Sequence, residues 1–335
     1  MAKVERRPNL TSGEISFLWM SYQYETMSKQ GITFFLQHVE DEQIKELLEQ
    51  TLSLTTKRID QMEDIFIEED YSLPDGFTEK DVNLDAPRLF SDQLYLEYTL
   101  QTSKMELMVY NLAFFESVQP KVQDYFHEIL ADIHKLEIKS KKCSLEKGRY
   151  LISPSIPVPK TVEYVQRDSF LAGWFGEKRP LLGIEISQLI FHAKRNALGQ
   201  AVVTAFSQVA KSKEVRRYFE RGREISGKHF EVFSKILTEE YLPNAASLLT
   251  SEVTDSTETP FSDRLMMNFI TVLISAGISA YGASMSLSAR RDLGVMYSRL
   301  TADILQFSDD GAEILIKNSW MEQPPIAANR KDLAK

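Results

Sequence analysis

Apolar residues recur along this chain with the three-to-four spacing of buried helix faces, in eight long stretches. Over residues 12–39, Ile15, Leu18, Trp19, Tyr22, Thr26, Thr33 and Leu36 share one stripe. Residues 41–70 place Ile44, Leu47, Leu48, Thr51, Met62, Ile65 and Phe66 on one side. The Pro74-Asp75-Gly76 segment then breaks the pattern. A third helix is predicted to start near Ser91, whose hydroxyl can cap it and whose neighbour Asp92 suits the positive end of the dipole. It carries Leu94, Tyr98, Gln101, Met105, Met108 and Leu112. Pro120 suits the first turn of a fourth helix, which turns Val122, Tyr125, Phe126, Ile129, Ile133 and Leu136 inward. Four more helices follow over residues 183–210, 212–241, 262–288 and 290–319. Helices of this size are about 40 Å long at 1.5 Å per residue. Long helices with short connections predict an up-down-up-down bundle.

The second set of four repeats the first at an offset of 171 residues, the separation of Glu14 and Glu185. Glu14-Ile15-Ser16 matches Glu185-Ile186-Ser187, and Thr33, Phe35 and Gln37 match Thr204, Phe206 and Gln208. Phe90-Ser91-Asp92 matches Phe261-Ser262-Asp263, Tyr110 matches Tyr281, and Ala131-Asp132 matches Ala302-Asp303. Chance does not hold one register over that distance. Two repeats of this length are domains, not solenoid units. The expected organisation is a first four-helix bundle over 1–150, a linker over 151–180 and a second four-helix bundle over 181–335. The linker carries Phe170, Trp174 and Phe175, so it is expected to pack in part and to hold the copies together as one body.

Composition narrows the class. The chain has 335 residues, 43% hydrophobic and 26% charged, as a globular protein has. The net charge is -9 without any long basic run, which argues against a nucleic-acid surface. The single cysteine, Cys143, cannot form an internal disulfide, and the charged start lacks the apolar core of a signal peptide. A cytoplasmic location is expected. One stretch, from Leu265 to Leu287, is uncharged and long enough to span a bilayer. Asn268 and four serines dilute it, and its counterpart carries Glu97, Lys104 and Glu106, so a buried bundle helix is the expectation and no membrane span.

Chemistry is harder to find. A di-iron bundle needs a Glu from each of two helices and a Glu-x-x-His pair from each of the other two. The histidines are His38, His127, His134, His192 and His229, and only Asp124 with His127 approaches that spacing. No metal site and no cofactor are expected. Nucleophile and phosphate-loop motifs are absent as well. The interior is nonetheless more polar than packing requires. Glu25, Arg58, Gln101 and Asp132 fall near one mid-bundle level, and in the second copy Asn196, His229 and Asp303 occupy the matching positions. This level reads either as a ligand pocket or as a buried ion-pair network that fixes helix register.

The openings Leu10-Thr11-Ser12-Gly13-Glu14-Ile15-Ser16 and Gly183-Ile184-Glu185-Ile186-Ser187, the segment Pro260-Phe261-Ser262-Asp263-Arg264-Leu265-Met266-Met267 and the duplicated length resemble a family of spore-forming bacteria catalogued as domain of unknown function 3231. The resemblance implies tandem ferritin-like bundles without iron ligands, similar to spore coat protein F, and a spore- or stress-associated role. It supplies no catalytic residue. The expectation is therefore an all-α, non-enzymatic structural or interaction protein of the spore coat or of a stress response. Its partners would be other proteins or itself. The alternative is a ferritin-like redox or small-ligand-binding protein that uses the polar mid-bundle level.

Overall fold

The computed structural model describes residues 10–173, 178–245 and 252–333. Among them are eight long helices and no strand: α1 (Ser12–His38), α2 (Glu42–Glu68), α3 (Asp92–Glu116), α4 (Pro120–Glu146), α5 (Gly183–Val209), α6 (Lys213–Glu239), α7 (Asp263–Leu287) and α8 (Arg291–Lys317). They form two tandem four-helix bundles. By compactness the chain groups into two units. One holds the chain up to Leu84, Thr99–Cys143 and the segment from Ser319 on; the other holds Asp85–Tyr98 and Ser144–Asn318.

The helices start where the sequence supplies caps. Thr11 accepts the backbone N–H of Glu14, and the Glu14 carboxylate answers by accepting from Thr11 N at 2.8 Å. Asp41, Ser212 and Ser262 cap α2, α6 and α7 with their side-chain oxygens. Four helices stop by turning one residue left-handed: Asp70 (φ 52°), Gly148 (φ 65°), Tyr241 (φ 56°) and Ser319 (φ 57°). Gly148 and Ser319 are equivalent under the duplication, as are Asp70 and Tyr241. Behind Asp70 and Tyr241 the next N–H folds back onto the helix, Tyr71 N to Phe66 O and Leu242 N to Leu237 O, each at 2.9 Å.

Helix directions depart from the expected alternation at one joint in each bundle. In the first unit, Glu14 at the start of α1 accepts from Val118 N (2.9 Å) and Gln119 N (2.6 Å), just beyond the end of α3. So α1 and α3 are antiparallel. Lys121 pairs with Glu68 and Lys57 with Glu128, so α2 and α4 are antiparallel too. Since α1 and α2 form a tight hairpin, α2 and α3 point the same way, and the order is up-down-down-up. The second unit repeats this. Glu185 accepts from Arg290 N (3.1 Å), while Lys228 meets Asp303 and Lys317 meets Glu214. The physical reason is loop length. Residues 69–91 must return along about 40 Å of helix, which takes only about 12 extended residues. One long crossover per bundle is a known variant of the up-down arrangement.

The first unit closes on Leu18, Met62, Phe66, Phe126 and Ile133, all without exposed surface. In the second unit, α7 is long and apolar enough to cross a bilayer, yet 50% of its most apolar window is buried within the protein. Leu265, Met266, Met267, Ile270 and Tyr281 form its inner face. Of the linker aromatics, Phe170 lies under the Arg179 guanidinium, 4.4 Å from its ring centre; Trp174 and Phe175 lie outside the described residues.

The left-handed stop at Tyr241 is fully exposed, so its side chain contributes no packing there. An L-residue in this conformation costs roughly 1–2 kcal/mol, of which glycine recovers all but its own entropy. Tyr241→Gly should therefore raise stability by about 0.5–1 kcal/mol in urea unfolding. An unchanged or lowered midpoint would show that the stop is not strained.

Candidate functional site

Polar side chains meet inside both units, with different members. In the first unit α1 supplies Tyr24 and Glu25, α2 supplies Arg58, α3 supplies Glu106 and Tyr110, and α4 supplies Tyr125. Arg58 Nη1 donates to Glu25 Oε1 at 3.0 Å and to Glu106 Oε2 at 3.3 Å. The Tyr110 hydroxyl donates to Glu25 Oε1 and the Tyr24 hydroxyl to Glu106 Oε1, each at 2.8 Å. Tyr125 reaches the Arg58 carbonyl at 3.4 Å. All of these side chains are buried. Burial works against the Arg58 charge, but Glu25 and Glu106 outweigh it and hold its pKa above the ordinary arginine value. Burial pushes the Glu106 carboxyl up to about 7, with Arg58 opposing and Glu25 adding to the rise. The Tyr110 and Tyr125 hydroxyls are pushed well up by burial, then by the Glu25 charge.

Asp132 does not join this cluster. It pairs with Lys135 at 3.1 Å and stays half-buried on the flank of α4, because the inward stripe there runs through Ile129, Ile133 and Leu136. The second carboxylate comes instead from Glu106 on α3. Gln101 is buried on α3, more than one turn before Glu106.

In the second unit Asn196, His229 and Asp303 do come together, around Tyr281. Asn196 Nδ2 donates to the His192 carbonyl (2.8 Å) and to the Tyr281 hydroxyl (3.0 Å). The Tyr281 O–H has two acceptors in reach, His229 Nδ1 at 3.0 Å and Asn196 Oδ1 at 3.3 Å, and the nearer is the histidine. By this network His229 carries its proton on Nε2, 3.5 Å from Asp303 Oδ2, which Lys228 holds at 2.7 Å. Burial lowers the His229 pKa to about 4 despite the Asp303 carboxylate. Burial opposes the Asp303 charge too, but the Lys228 bond prevails and keeps that carboxyl below its usual value. A Tyr–His–Asp file of this kind resembles a proton relay, but the Tyr281 oxygen is sealed in the core.

His192 adds a second neutral imidazole. Ser284 donates to Gln188 Oε1 at 2.7 Å, so its oxygen accepts from His192 Nε2 at 2.7 Å. The ring stacks on Phe233 and its pKa is held well down by burial.

The duplication explains the contrast. Tyr110 and Tyr281 are equivalent, as are Lys57 and Lys228, but Glu106 becomes Gly277 and Tyr24 becomes Arg195. Arg195 lies across Gly277, its Nη2 3.2 Å from where a Cβ would stand, and donates to the Leu273 carbonyl at 3.1 Å. The clamps at the bundle ends are the part kept. Glu185 repeats Glu14, accepting from Leu182 N and Arg290 N and adding a bidentate pair with Arg179. Backbone and arginine donors overcome burial and keep the pKa of both carboxyls low.

A ferritin-type metal does not fit these donors. Both first-unit carboxylates are turned onto a guanidinium and tyrosine hydroxyls, so a divalent ion there would face Arg58. Among the described residues no three His, Cys, Asp or Glu side chains gather as ligands.

Arg58→Ala should cost about 3–5 kcal/mol, because it strands buried carboxylate charge. Asp132→Ala removes only a pair with an exposed lysine on the flank of α4 and should cost under about 0.5 kcal/mol. Chemical denaturation of both variants checks this, and equal costs would contradict the arrangement.

One family model places the chain. Its likeness to a solved structure, a "putative spore coat protein" of Bacillus halodurans, is distant: 13% identity, a TM-score of 0.42, 45% of this chain and 98% of that one. No curated protein matches it. The family model described as "Protein of unknown function (DUF3231)" matches twice, over residues 1–162 and 169–333, so the chain belongs to that family, once in each half.

Proposed function

We propose that this protein is a non-enzymatic structural or interaction protein. The observation that carries the reading is the way each interior is filled by its own side chains. Arg58 stands between Glu25 and Glu106 where a metal-binding bundle would place a cation. Tyr281 and His229 saturate the corresponding level in the second unit. A polar level built this way fixes which helices lie together and at what register.

The outer surface is where such a protein would act. Met108, Leu112 and Phe115 form an exposed apolar line on α3 at helical spacing, with Val118 just beyond it. Partners in this reading are other proteins or a second copy, and not nucleic acid or a membrane. A cytoplasmic setting and a spore or stress role belong to the proposal and rest on the family resemblance. The ferritin-like redox alternative requires a metal-loaded interior.

Elemental analysis tests the choice. The purified protein should hold far less than one equivalent of iron or manganese per bundle, before and after incubation with either metal. One equivalent or more, lost in Glu25→Ala, would overturn the reading in favour of a metal protein.

A further inference from the structure

The first-unit cluster does not balance. Two carboxyl groups, Glu25 from α1 and Glu106 from α3, face one guanidinium, Arg58 from α2. The other titratable groups turned onto them are tyrosines: Tyr24 from α1, Tyr110 from α3 and, through the Arg58 carbonyl, Tyr125 from α4. None of these supplies positive charge. Donors are short as well. Glu25 Oε2 is buried without a hydrogen-bond donor, and the spare Arg58 Nη2 finds no acceptor. An unbalanced charge in such a place is costly, and the least costly remedy is a proton.

We propose that Glu106 is a proton-binding site, and that the first bundle closes around a neutral Glu106 as part of its native structure. Geometry selects Glu106 over Glu25. Glu25 has the shorter bond to Arg58, 3.0 Å against 3.3 Å, and shares that oxygen with Tyr110. The Tyr24 hydroxyl at 2.8 Å from Glu106 Oε1 can turn from donor to acceptor when the carboxyl carries hydrogen.

The consequence is a pH dependence of defined sign. The Glu106 carboxyl, raised to about 7 by burial, binds a proton in the folded state that it loses on unfolding near its ordinary value of 4.5. The stabilisation is complete below that ordinary value and is lost as pH rises through the folded one. The second unit behaves oppositely. His229 is lowered by burial to about 4, so its unfolded form binds the extra proton, and stability there grows as pH rises from about 4 to 6.5. The two bundles of one chain therefore respond to the same pH change in opposite directions.

Hydrogen exchange read by mass spectrometry on the full chain tests this, since peptides from α1, α2 and Thr99–Cys143 report on the first unit and peptides from α5–α8 on the second. After correction for intrinsic exchange, opening of the first-unit helices should increase between pH 5.5 and 7, by up to about tenfold per pH unit. Over the same range second-unit opening should stay level or fall. Glu106→Gln mimics the protonated side chain, and Glu25→Gln restores the charge balance by another route, so both should flatten the first-unit response. A first-unit response that is flat or reversed in the unmodified protein would overturn the proposal, as would a slope that persists in both variants. If both variants fail to fold, the carboxyl carbon of Glu106 followed by NMR in the unmodified chain decides. A titration centred near neutral pH supports the site, and one in the ordinary carboxyl range defeats it.

Discussion

A guanidinium held between two glutamate side chains and out of reach of water constrains the first bundle more than any apolar contact does. Apolar faces slide against each other at small cost, and volume-conserving swaps are well tolerated. The Arg58 contacts to Glu25 and Glu106 do not slide, because separating Arg58 from Glu25 leaves buried charge alone and separating it from Glu106 leaves a buried donor unmet. The three residues come from α1, α2 and α3, so the cluster fixes which helices are neighbours and at what height. Tyr24 and Tyr110 hold the carboxylates in place, and Tyr125 joins α4 to the set through the Arg58 backbone.

The second bundle solves the same problem with less charge. Where the first has Glu25, Arg58 and Glu106, it has Asn196, His229 and Gly277, and Tyr281 becomes the hub. Neutral partners avoid most of the desolvation cost that buried ions carry. The retained features lie at the ends, where Glu14 and Glu185 tie the first helix of each bundle to the turn before its fourth. Duplication has thus kept the clamps that close the bundle and relaxed the level in the middle. This is the pattern expected where the shared requirement is architecture.

Much of this is legible in the amino-acid order, for identifiable reasons. Helix periodicity, the Thr11–Glu14 capping box and the Ser262 cap are local signals, read within a few residues. The repeat is legible because one offset holds throughout. Helix direction was not, since a connection such as residues 69–91 is long enough either to turn or to cross the bundle. Asp132 was misplaced because it sits one residue from Ile133, and one position rotates a side chain by about 100° around a helix. Glu106 was missed because nothing matches it in the second copy, where Gly277 stands. The left-handed stops at Asp70, Tyr241 and Ser319 carry no glycine to announce them.

Everything above requires that Arg58 and Glu25 be energetically joined in a closed interior and not line an open site. A double-mutant cycle with Arg58→Met and Glu25→Gln measures that joining directly, with the reorganisation of each single variant subtracted. Urea unfolding of the four proteins at one pH should give a coupling energy of about 1.5–3 kcal/mol. A coupling below about 0.5 kcal/mol, the size found for independent or solvent-exposed positions, would contradict the account.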